Sequence, residues 1–415
     1  MNQAVVIEKL VHGGQAIGTL PDGRKVLVWS ALPGETVMVQ VTKSKNKYAE
    51  ALAVDILKPS SERIKPVDDA YLSTSPWQIM TYDAENKYKQ EILKETFERE
   101  KVALPSGLMF HASDRQWHYR NKMEYSFWAD DDGLHLALFN RGSHGKRIVP
   151  GSSIAMPQID ETASKICAAL NAAAVRGSQL KTVVVRCDQA GASVAAIFVK
   201  DVDFPAITSL KNICQGITVY YSNPKSPASV LTQKKYVYGD ITLTDKIMDT
   251  NITYDVNSFF QVNVPVFELA AKRIDYFTGG ADPKVDFYSG VGTIGLPVNA
   301  TKLIESDPHN IAMAKQNVAG RPVEIIHATA ETALDHIPSK GTLIVDPPRA
   351  GLHPKVIEQI RNVKPPIIAY LSCNPITQAR DIALLQDIYK IRAFEGYNFF
   401  PRTPHIESLA ILEIT

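Results

Sequence analysis

The chain has 415 residues, 45% of them hydrophobic, and a formal net charge of +1 at neutral pH. This length predicts two to three domains with ordinary packed cores, and the small net charge excludes a chain-wide attraction to nucleic acid, so such a contact needs local basic patches. Its four cysteines, without a CxxC spacing, exclude a disulfide framework and a zinc ribbon. No apolar run is long enough for a membrane span and the start is not leader-like, so we expect a cytoplasmic protein without membrane contact.

The first sixty residues predict a small antiparallel β-barrel, because alternating hydrophobic stretches are separated by turn signals at residues 12–14, 21–25 and 32–35. Lys43, Lys45 and Lys47 alternate in sequence and are predicted to share one strand face beside Tyr48. Such a face is either a solvated edge that lysines keep soluble or a phosphate-binding surface, and the pattern favours neither. Prolines bracket residues 58–66, which predicts a linker.

The central part of the chain predicts one helix, over residues 82–102, followed by β-rich structure up to about residue 250. Near its start, cations interleave with aromatic residues, a composition that suits base stacking and phosphate binding. A half-buried strand with aromatic residues inside and cations outside has the same pattern, and we favour that interpretation. The residues concerned are Arg115, Trp117, Tyr119, Arg120, Lys122, Tyr125 and Trp128.

From about residue 251 strands alternate with helices, which predicts a mainly parallel sheet covered by helices on both faces, with ligands beyond the carboxyl ends of the strands. GVGTIG at residues 290–295 follows the strand VDFY, is predicted to open a helix and matches the dinucleotide fingerprint. It suits a nicotinamide enzyme and an S-adenosylmethionine enzyme equally. Glu305 ends the next strand, where a carboxylate can accept ribose hydroxyls, although a solvated acid is as common there.

DPPRAG at residues 346–351 predicts a rigid turn at the same sheet edge, suited to an active site or to a purely structural role. Methyltransferases that act on exocyclic amines typically have an aromatic residue after such prolines, where this chain has Arg349. Cys373 follows, where an apolar strand meets Asn-Pro; most such cysteines are inert small hydrophobes. Glu407, in the later segment FPRTPHIES, could supply a base beside it, but it could also be a helix cap or an ion-pair partner.

Taken together, SFFQVN, DFYSGVG, IESD, DPPRAGL, LSCNP and FPRTPHIES resemble, in this order, the RNA 5-methyluridine methyltransferase family. The resemblance covers nearly the whole chain. It implies an α/β fold: a small N-terminal OB/TRAM-like β-barrel that binds RNA (1–58), a β-rich α+β central domain for RNA recognition (59–250), and a C-terminal Rossmann-like methyltransferase domain (251–415).

The resemblance also implies roles for six residues. Cys373 would be the nucleophile and Glu407 the general base, and four residues would contact S-adenosylmethionine: Gln261, Tyr288, Glu305 and Asp346. Without the resemblance, Gln261 and Asn263 are typical of a cap at a helix entry, and Tyr288 of a core aromatic residue.

One departure from the family concerns metal binding. Many members hold an iron–sulfur cluster with four cysteines, but the segment LSTSPWQ at residues 72–78, where three are expected, has none, and the fourth position falls near Ser152 and Ser153. Serine hydroxyls do not replace the thiolates that these clusters need. We therefore expect neither an iron–sulfur cluster nor another metal.

These expectations combine into one enzyme, which transfers a methyl group from S-adenosylmethionine to C5 of a uridine in structured RNA and acts as a monomer. Ribosomal RNA is favoured over transfer RNA. Two alternatives remain. GxGxxG with Glu305 suits a nicotinamide-dependent oxidoreductase, and the barrel with the basic-aromatic segment suits a non-catalytic RNA-binding factor that retains a methyltransferase shell.

Overall fold

The computed structural model describes residues 2–141, 145–227 and 229–415. Its strands are β1 (Gln3–Leu10), β2 (Ala16–Thr19), β3 (Lys25–Trp29), β4 (Thr36–Ser44), β5 (Tyr48–Lys58), β6 (Met109–His111), β7 (Lys122–Asp130), β8 (Gly133–Phe139), β9 (Lys146–Ile148), β10 (Leu180–Cys187), β11 (Ser193–Val199), β12 (Gly216–Tyr221), β13 (Gln233–Gly239), β14 (Thr242–Ile247), β15 (Thr250–Asp255), β16 (Lys284–Phe287), β17 (Lys302–Glu305), β18 (Glu324–His327), β19 (Thr342–Val345), β20 (Ile367–Ser372), β21 (Tyr389–Tyr397) and β22 (Glu407–Ile414). Its α-helices are α1 (Tyr71–Thr74), α2 (Tyr82–Arg99), α3 (Pro157–Ala172), α4 (Val264–Thr278), α5 (Pro308–Asn317), α6 (Pro354–Val363) and α7 (Pro375–Ala383).

The first five strands close into the predicted barrel, in the order β1-β2-β3-β5-β4. All pairings are antiparallel except that of β3 with β5, which is parallel. The prediction that three lysines share a strand face is wrong for two of them, because β4 ends at Ser44 and Lys45 and Lys47 lie in the turn that follows. In that turn the Lys45 ammonium lies 5.0 Å from the centre of the Tyr48 ring.

The segment after the barrel, predicted as a linker, is fixed to the barrel by an ion pair. The Arg63 guanidinium donates to both carboxylate oxygens of Glu35, at 2.5 and 2.7 Å, and the Glu35 side chain is fully buried. The backbone N–H of Ser60 donates to the same carboxylate. A buried carboxylate needs such partners, so this segment packs against the barrel as part of its structure.

The central part of the chain forms a seven-stranded sheet, in the order β13-β12-β11-β10-β7-β8-β9, and α3 packs on β8, β10 and β11. This confirms the predicted β-rich character. The basic-aromatic segment is only partly a strand, because β7 begins at Lys122 and the residues before it form a loop. Its aromatic side chains do not all face inward either: Tyr119 and Tyr125 are buried, whereas Trp128 is 45% exposed.

The third sheet has eight strands, in the order β18-β17-β16-β19-β20-β22-β21-β6, and the first five are parallel. Both faces are covered, as alternate residues of β20 show. Ile368 and Tyr370 belong to a core with residues of α2, α6 and α7, and Ala369 and Leu371 to a second core with residues of α4. This arrangement confirms the predicted α/β class.

The segment after β16 differs from the prediction, because residues 290–299 form successive turns and not a helix. Gly290 and Gly292 have φ of +57° and +92°, outside the right-handed helical region. Pro297 has no N–H to continue a helix, and its ring clashes with the carbonyl four residues earlier. The glycine motif therefore provides its tight turn without opening a helix.

Two elements from the region before residue 250 pack with the third sheet. β6 pairs with β21 at its edge, and α2 packs against α7. α2 begins at the predicted residue, where the Thr81 hydroxyl accepts from the N–H of Ala84, and ends at Arg99, three residues early. The division of the chain at residues 58 and 250 stays a prediction. Among the described helices, none has the length and apolar character needed to cross a membrane.

Candidate active site

A cavity of about 510 Å³ opens at the carboxyl ends of β16, β17, β19 and β20. The six residues predicted as catalytic or cofactor-binding all line it: Gln261, Tyr288, Glu305, Asp346, Cys373 and Glu407. The fold thus brings together side chains that are up to 146 residues apart in the sequence. The cavity also has lining residues that the sequence did not single out as site residues: Phe259, Gly290, Asn310, Phe400 and His405.

Cys373 and Glu407 lie at the paired ends of two strands. Ser372, the last residue of β20, pairs with Ser408 of β22 in antiparallel register. Cys373 directly follows Ser372 and Glu407 directly precedes Ser408, so the two residues flank this last pair; both line the cavity, and the charge of Glu407 acts on the Cys373 thiol. Asn374 ends the strand: its amide donates to the carbonyl of Arg349 at 2.8 Å and its side-chain oxygen accepts from the first turn of α7.

The acidic groups around Cys373 disfavour one another's charged forms. Burial, and then the negative charges of Glu407 and Asp346, raise the pKa of the Cys373 thiol to about 12, although Arg349 opposes this. Burial and Asp346 hold the pKa of Glu407 well above its usual range. Burial raises the pKa of Asp346 to about 7. A positive charge entering this cavity would therefore favour the deprotonated form of all three groups.

Glu305 is fixed in orientation by three backbone donors. Its carboxylate accepts from the N–H groups of Gly290 at 2.8 Å, Ser306 at 2.9 Å and Asp307 at 2.7 Å. A carboxylate has about four acceptor sites, so capacity for a further donor remains. A Cβ on Gly290 would meet its nearest atom, the carbonyl oxygen of Phe259, at 3.8 Å, which is ordinary van der Waals contact, and Gly290 lines the cavity.

The second glycine of this turn, Gly292, has no room for a side chain. A Cβ on Gly292 would lie 2.6 Å from Cδ1 of Leu296, and its φ is +92°. Tyr288, at the end of β16, also has a positive φ, of +62°, and its half-buried side chain lines the cavity. Tyr288 follows the last strand residue, Phe287, and packs against the hydrophobic core as well as lining the cavity.

The loop between β15 and α4 supplies the opposite wall. Phe259 is 63% exposed and Gln261 is 8% exposed, and both line the cavity. Asn263 stands at the N-cap position of α4 but makes no side-chain cap hydrogen bond; its amide donates to the carbonyl of Phe399 at 3.0 Å. The interpretation of Asn263 as a side-chain helix cap is wrong, because its amide instead ties this loop to the segment that precedes Glu407.

A second cavity, of about 330 Å³, meets the first at three residues that line both, Arg349, Cys373 and His405. The barrel contributes His12 to its wall, and the central part of the chain contributes Arg141. The Arg141 guanidinium lies 4.2 Å from the centre of the Trp29 ring of the barrel. Cys373 is therefore accessible from two sides.

His405 is uncharged at neutral pH, because burial and then the charge of Arg349 lower its pKa to about 3. Its Nδ1 therefore accepts from the Arg349 guanidinium at 3.2 Å. The free charge in the second cavity thus comes from arginines, a composition suited to a phosphate-bearing ligand.

The segment where family members place cluster cysteines is a hydrogen-bonded polar network. The Gln78 amide donates to Asp68 at 3.0 Å and to the Ser75 hydroxyl at 2.7 Å, and the Ser153 hydroxyl donates to Asp68 at 2.8 Å. In the described part of the chain, no group of three or more potential His, Cys, Asp or Glu metal ligands occurs. The expected lack of an iron–sulfur cluster stays a prediction.

Comparison with known proteins gives two family matches. Residues 81–336 and 329–415 match the tRNA (uracil-5-)-methyltransferase family, and residues 2–54 match the TRAM domain. An RNA methyltransferase of Lactobacillus johnsonii, described as uncharacterized, is 30% identical over 453 residues, which cover 100% of this chain and 99% of that protein. One of Thermotoga maritima is 26% identical and covers 99% of both chains.

Among solved structures, the tRNA (uracil-54, C5)-methyltransferase of Pyrococcus abyssi in complex with S-adenosyl-L-homocysteine has a TM-score of 0.80 with this chain, at 25% identity and with 99% of both chains covered. The predicted resemblance, the barrel and the dependence on S-adenosylmethionine are confirmed by these matches.

Proposed function

The chain belongs to the tRNA (uracil-5-)-methyltransferase family and is an S-adenosylmethionine-dependent RNA (uracil-5-)-methyltransferase. We propose that it acts through a covalent bond between Cys373 and C6 of the target uridine, with Glu407 as the general base. The observation that supports the proposal is that both side chains line one cavity, next to the last paired residues of β20 and β22. One pyrimidine ring between them would present C6 to the sulfur and C5 to the carboxylate.

The chemistry explains why both groups are required. C5 of uracil is a weak nucleophile, but addition of the Cys373 thiolate to C6 moves the ring electrons to an enolate, whose C5 can form a carbon–carbon bond. S-adenosylmethionine supplies the methyl group, carried on a positively charged sulfonium. Glu407 then removes the C5 proton, and the released electron pair restores the C5–C6 double bond and expels the thiolate.

The pKa values imply that this machinery is activated when the ligands bind. In the ligand-free protein, burial raises the pKa of the Cys373 thiol to about 12, so the thiol is protonated at neutral pH, and burial also holds the pKa of Glu407 well above its usual range. A cationic ligand against Asp346 and Glu407 would lower these pKa values. Arg349, which already opposes the rise at Cys373, would then face a thiolate.

We propose that Gln261, Tyr288, Glu305 and Asp346 hold the cofactor in the larger cavity. The Glu305 carboxylate is oriented by the N–H of Gly290 and suits the two ribose hydroxyls, which are donors. Gly290 lines this cavity and has no side chain, which lets a ligand approach its backbone closely. A cavity of about 510 Å³ is within the range of small-molecule sites.

The second cavity supports entry of the RNA from the side of the barrel. Its wall carries Arg141 and Arg349, whose guanidinium groups suit phosphate oxygens. A uridine stacked in a helix cannot reach Cys373, so the target must be extruded or lie in a single-stranded loop. Ribosomal RNA remains the predicted substrate; transfer RNA is the second candidate, because the Pyrococcus abyssi protein is a tRNA methyltransferase.

The proposal is tested by methyl transfer from labelled S-adenosylmethionine to unmodified ribosomal RNA and transfer RNA, assayed separately with nucleoside analysis. We expect 5-methyluridine from one of the two, and no product with Cys373→Ala. Cys214→Ala is the matched control, since Cys214 is also half-buried, has a pKa raised by burial to about 11, and lines neither cavity. Normal turnover by Cys373→Ala would overturn the proposal. RNA binding without methylation of either RNA would favour the non-catalytic alternative.

A further inference from the structure

The central sheet contains a buried arginine whose hydrogen bonds all end on one loop of the active site. Arg186 lies in β10 and is 1% exposed. Its guanidinium donates to three backbone carbonyls at the end of β15 and in the loop that follows: Asp255 at 3.0 Å, Ser258 at 2.8 Å and Phe260 at 2.9 Å. This loop carries Phe259 and Gln261 into the larger cavity.

A second side chain from outside the third sheet holds the end of the same loop. The Asn121 amide donates to the carbonyl of Gln261 at 3.0 Å, and the N–H of Asn121 donates to the carbonyl of Val262 at 3.0 Å. Asn121 is itself fixed to β10, because its carbonyl accepts from the N–H of Cys187. Residues 255–262 are therefore fixed from the side of the central sheet along their whole length.

The loop is also connected to the Glu305 side of the cavity. The Asp255 carboxylate accepts from the backbone N–H of Ser258 and lies 2.8 Å from Nε2 of His309. The N–H of Phe259 donates to the side chain of Asn310 at 3.3 Å. His309 and Asn310 belong to α5, which begins directly after the Glu305 turn. Displacement of the loop would thus alter both walls of the cavity.

We infer that Arg186 is a positioning residue for methyl transfer, which fixes the backbone of residues 255–261 so that Gln261 and Phe259 face the cavity. The inference rests on the proposed function, because it takes the contact of Gln261 with the cofactor as given. Arginine suits this task, since its planar fork offers five donors in a fixed geometry whereas lysine offers three from one point.

Arg186 keeps its positive charge in this buried position. Burial lowers the pKa of Arg186 to about 10, which still leaves it charged at neutral pH. The rings of Tyr254 and Phe260 lie 5.1 and 5.8 Å from the guanidinium and help to offset the cost of burying the charge. The guanidinium has no ion-pair partner among the described residues, and its hydrogen bonds all go to backbone carbonyls at the start of the active-site loop and within it.

The chain offers a matched control on the same strand. Lys181 also lies in β10, is 8% exposed and donates to backbone carbonyls, those of Asn223, Ser226 and Pro227. Its loop lines neither of the two cavities at Cys373. Arg186→Met and Lys181→Met therefore each remove a β10 cation that donates to the carbonyls of one loop, and only Arg186 holds the active-site loop.

The experiment measures thermal unfolding, the affinity for S-adenosylhomocysteine, and kcat and KM for the cofactor in both variants. We expect both to lower Tm, whereas only Arg186→Met weakens S-adenosylhomocysteine binding and lowers kcat/KM at least tenfold, since small displacements of positioned groups cost about that much or more. Asn121→Ala should shift the same parameters in the same direction by less. Added guanidinium should restore part of the turnover of Arg186→Ala and have no effect on Lys181→Ala.

Gln261→Ala separates failure of the inference from failure of the proposed function. If Gln261→Ala binds S-adenosylhomocysteine and turns over like wild type, the proposed role of Gln261 is wrong. If Gln261→Ala is impaired while Arg186→Met and Asn121→Ala have the kinetics of Lys181→Met, the positioning role of Arg186 is overturned. If Arg186→Met does not fold, two other measurements test the inference: the kinetics of Asn121→Ala and the effect of guanidinium on Arg186→Ala. Wild-type kinetics of Asn121→Ala, together with no gain of turnover by Arg186→Ala on adding guanidinium, would refute the inference.

Discussion

The raised pKa of Asp346 predicts that the charged cofactor and its neutral product respond differently to pH. Burial raises this pKa to about 7, so the deprotonated fraction grows from roughly 0.1 at pH 6 to roughly 0.75 at pH 7.5. S-adenosylmethionine carries a sulfonium charge that favours the carboxylate, whereas S-adenosylhomocysteine does not. Affinity for S-adenosylmethionine should therefore rise about eightfold over this range, and that for S-adenosylhomocysteine should change much less.

Isothermal titration in buffers of different ionisation enthalpy measures both the affinity and the protons released. The range stays below about pH 7.5, because α-amino groups begin to lose their proton above it. S-adenosylmethionine should release protons on binding near pH 7, and Asp346→Asn should reduce that release. Equal pH dependence of the two ligands with the wild-type protein would refute the reasoning, as would unchanged proton release in Asp346→Asn.

Three further predictions concern stability. The folded state raises the pKa of Asp346 above its unfolded value, so the contribution of Asp346 to the free energy of unfolding is most favourable below about pH 4 and is lost as pH rises towards 7. Asp346→Asn should therefore raise Tm at pH 8. A gain in Tm of the same size at pH 4 would contradict this. Glu85→Gln leaves the fully buried Lys89 ammonium without its carboxylate partner and should lower the free energy of unfolding, measured in urea, by about 3–5 kcal/mol. The double variant with Lys89→Met should recover part of this loss. A loss below about 1 kcal/mol in Glu85→Gln would show that Glu85 and Lys89 do not form a charged pair. Gly292→Ala places a Cβ 2.6 Å from Leu296 at a φ of +92° and should cost about 1–3 kcal/mol and weaken S-adenosylhomocysteine binding; an unaltered melting curve would show that the turn adapts freely.

Much of the candidate site could be predicted because its residues follow strands. Glu305, Asp346 and Cys373 each stand at the end of an apolar run in a segment where strands alternate with helices, and parallel strands bring such ends to one sheet edge. The resemblance then supplied the pairing of Cys373 with Glu407, which spacing alone did not give. The antiparallel register of β20 with β22, which makes the two residues neighbours, is visible only in the structure.

The residues that were missed act through tertiary contacts that no local pattern encodes. Arg186 stands in an apolar β-strand, LKTVVVRC, and its bonds reach residues about seventy positions later. Phe259 lines the cavity with 63% of its surface exposed, and the sequence pattern gave it no role. The glycine motif was expected to open a helix by analogy with nucleotide-binding turns, and Pro297 prevented it. Pro297, seven residues after the first glycine of the motif, is the feature of the sequence that indicates the absence of a helix here.

The central claim is that Cys373 bonds to the target base, and the most direct measurement is mass spectrometry of the enzyme incubated with S-adenosylmethionine and substrate RNA that contains 5-fluorouridine. Glu407 cannot remove fluorine as it would a proton, so the covalent adduct should persist. The account predicts a methylated nucleotide adduct on the peptide that contains Cys373, and none in Cys373→Ala. An adduct on another residue, or its absence with an RNA whose uridine form the enzyme methylates, would contradict the account.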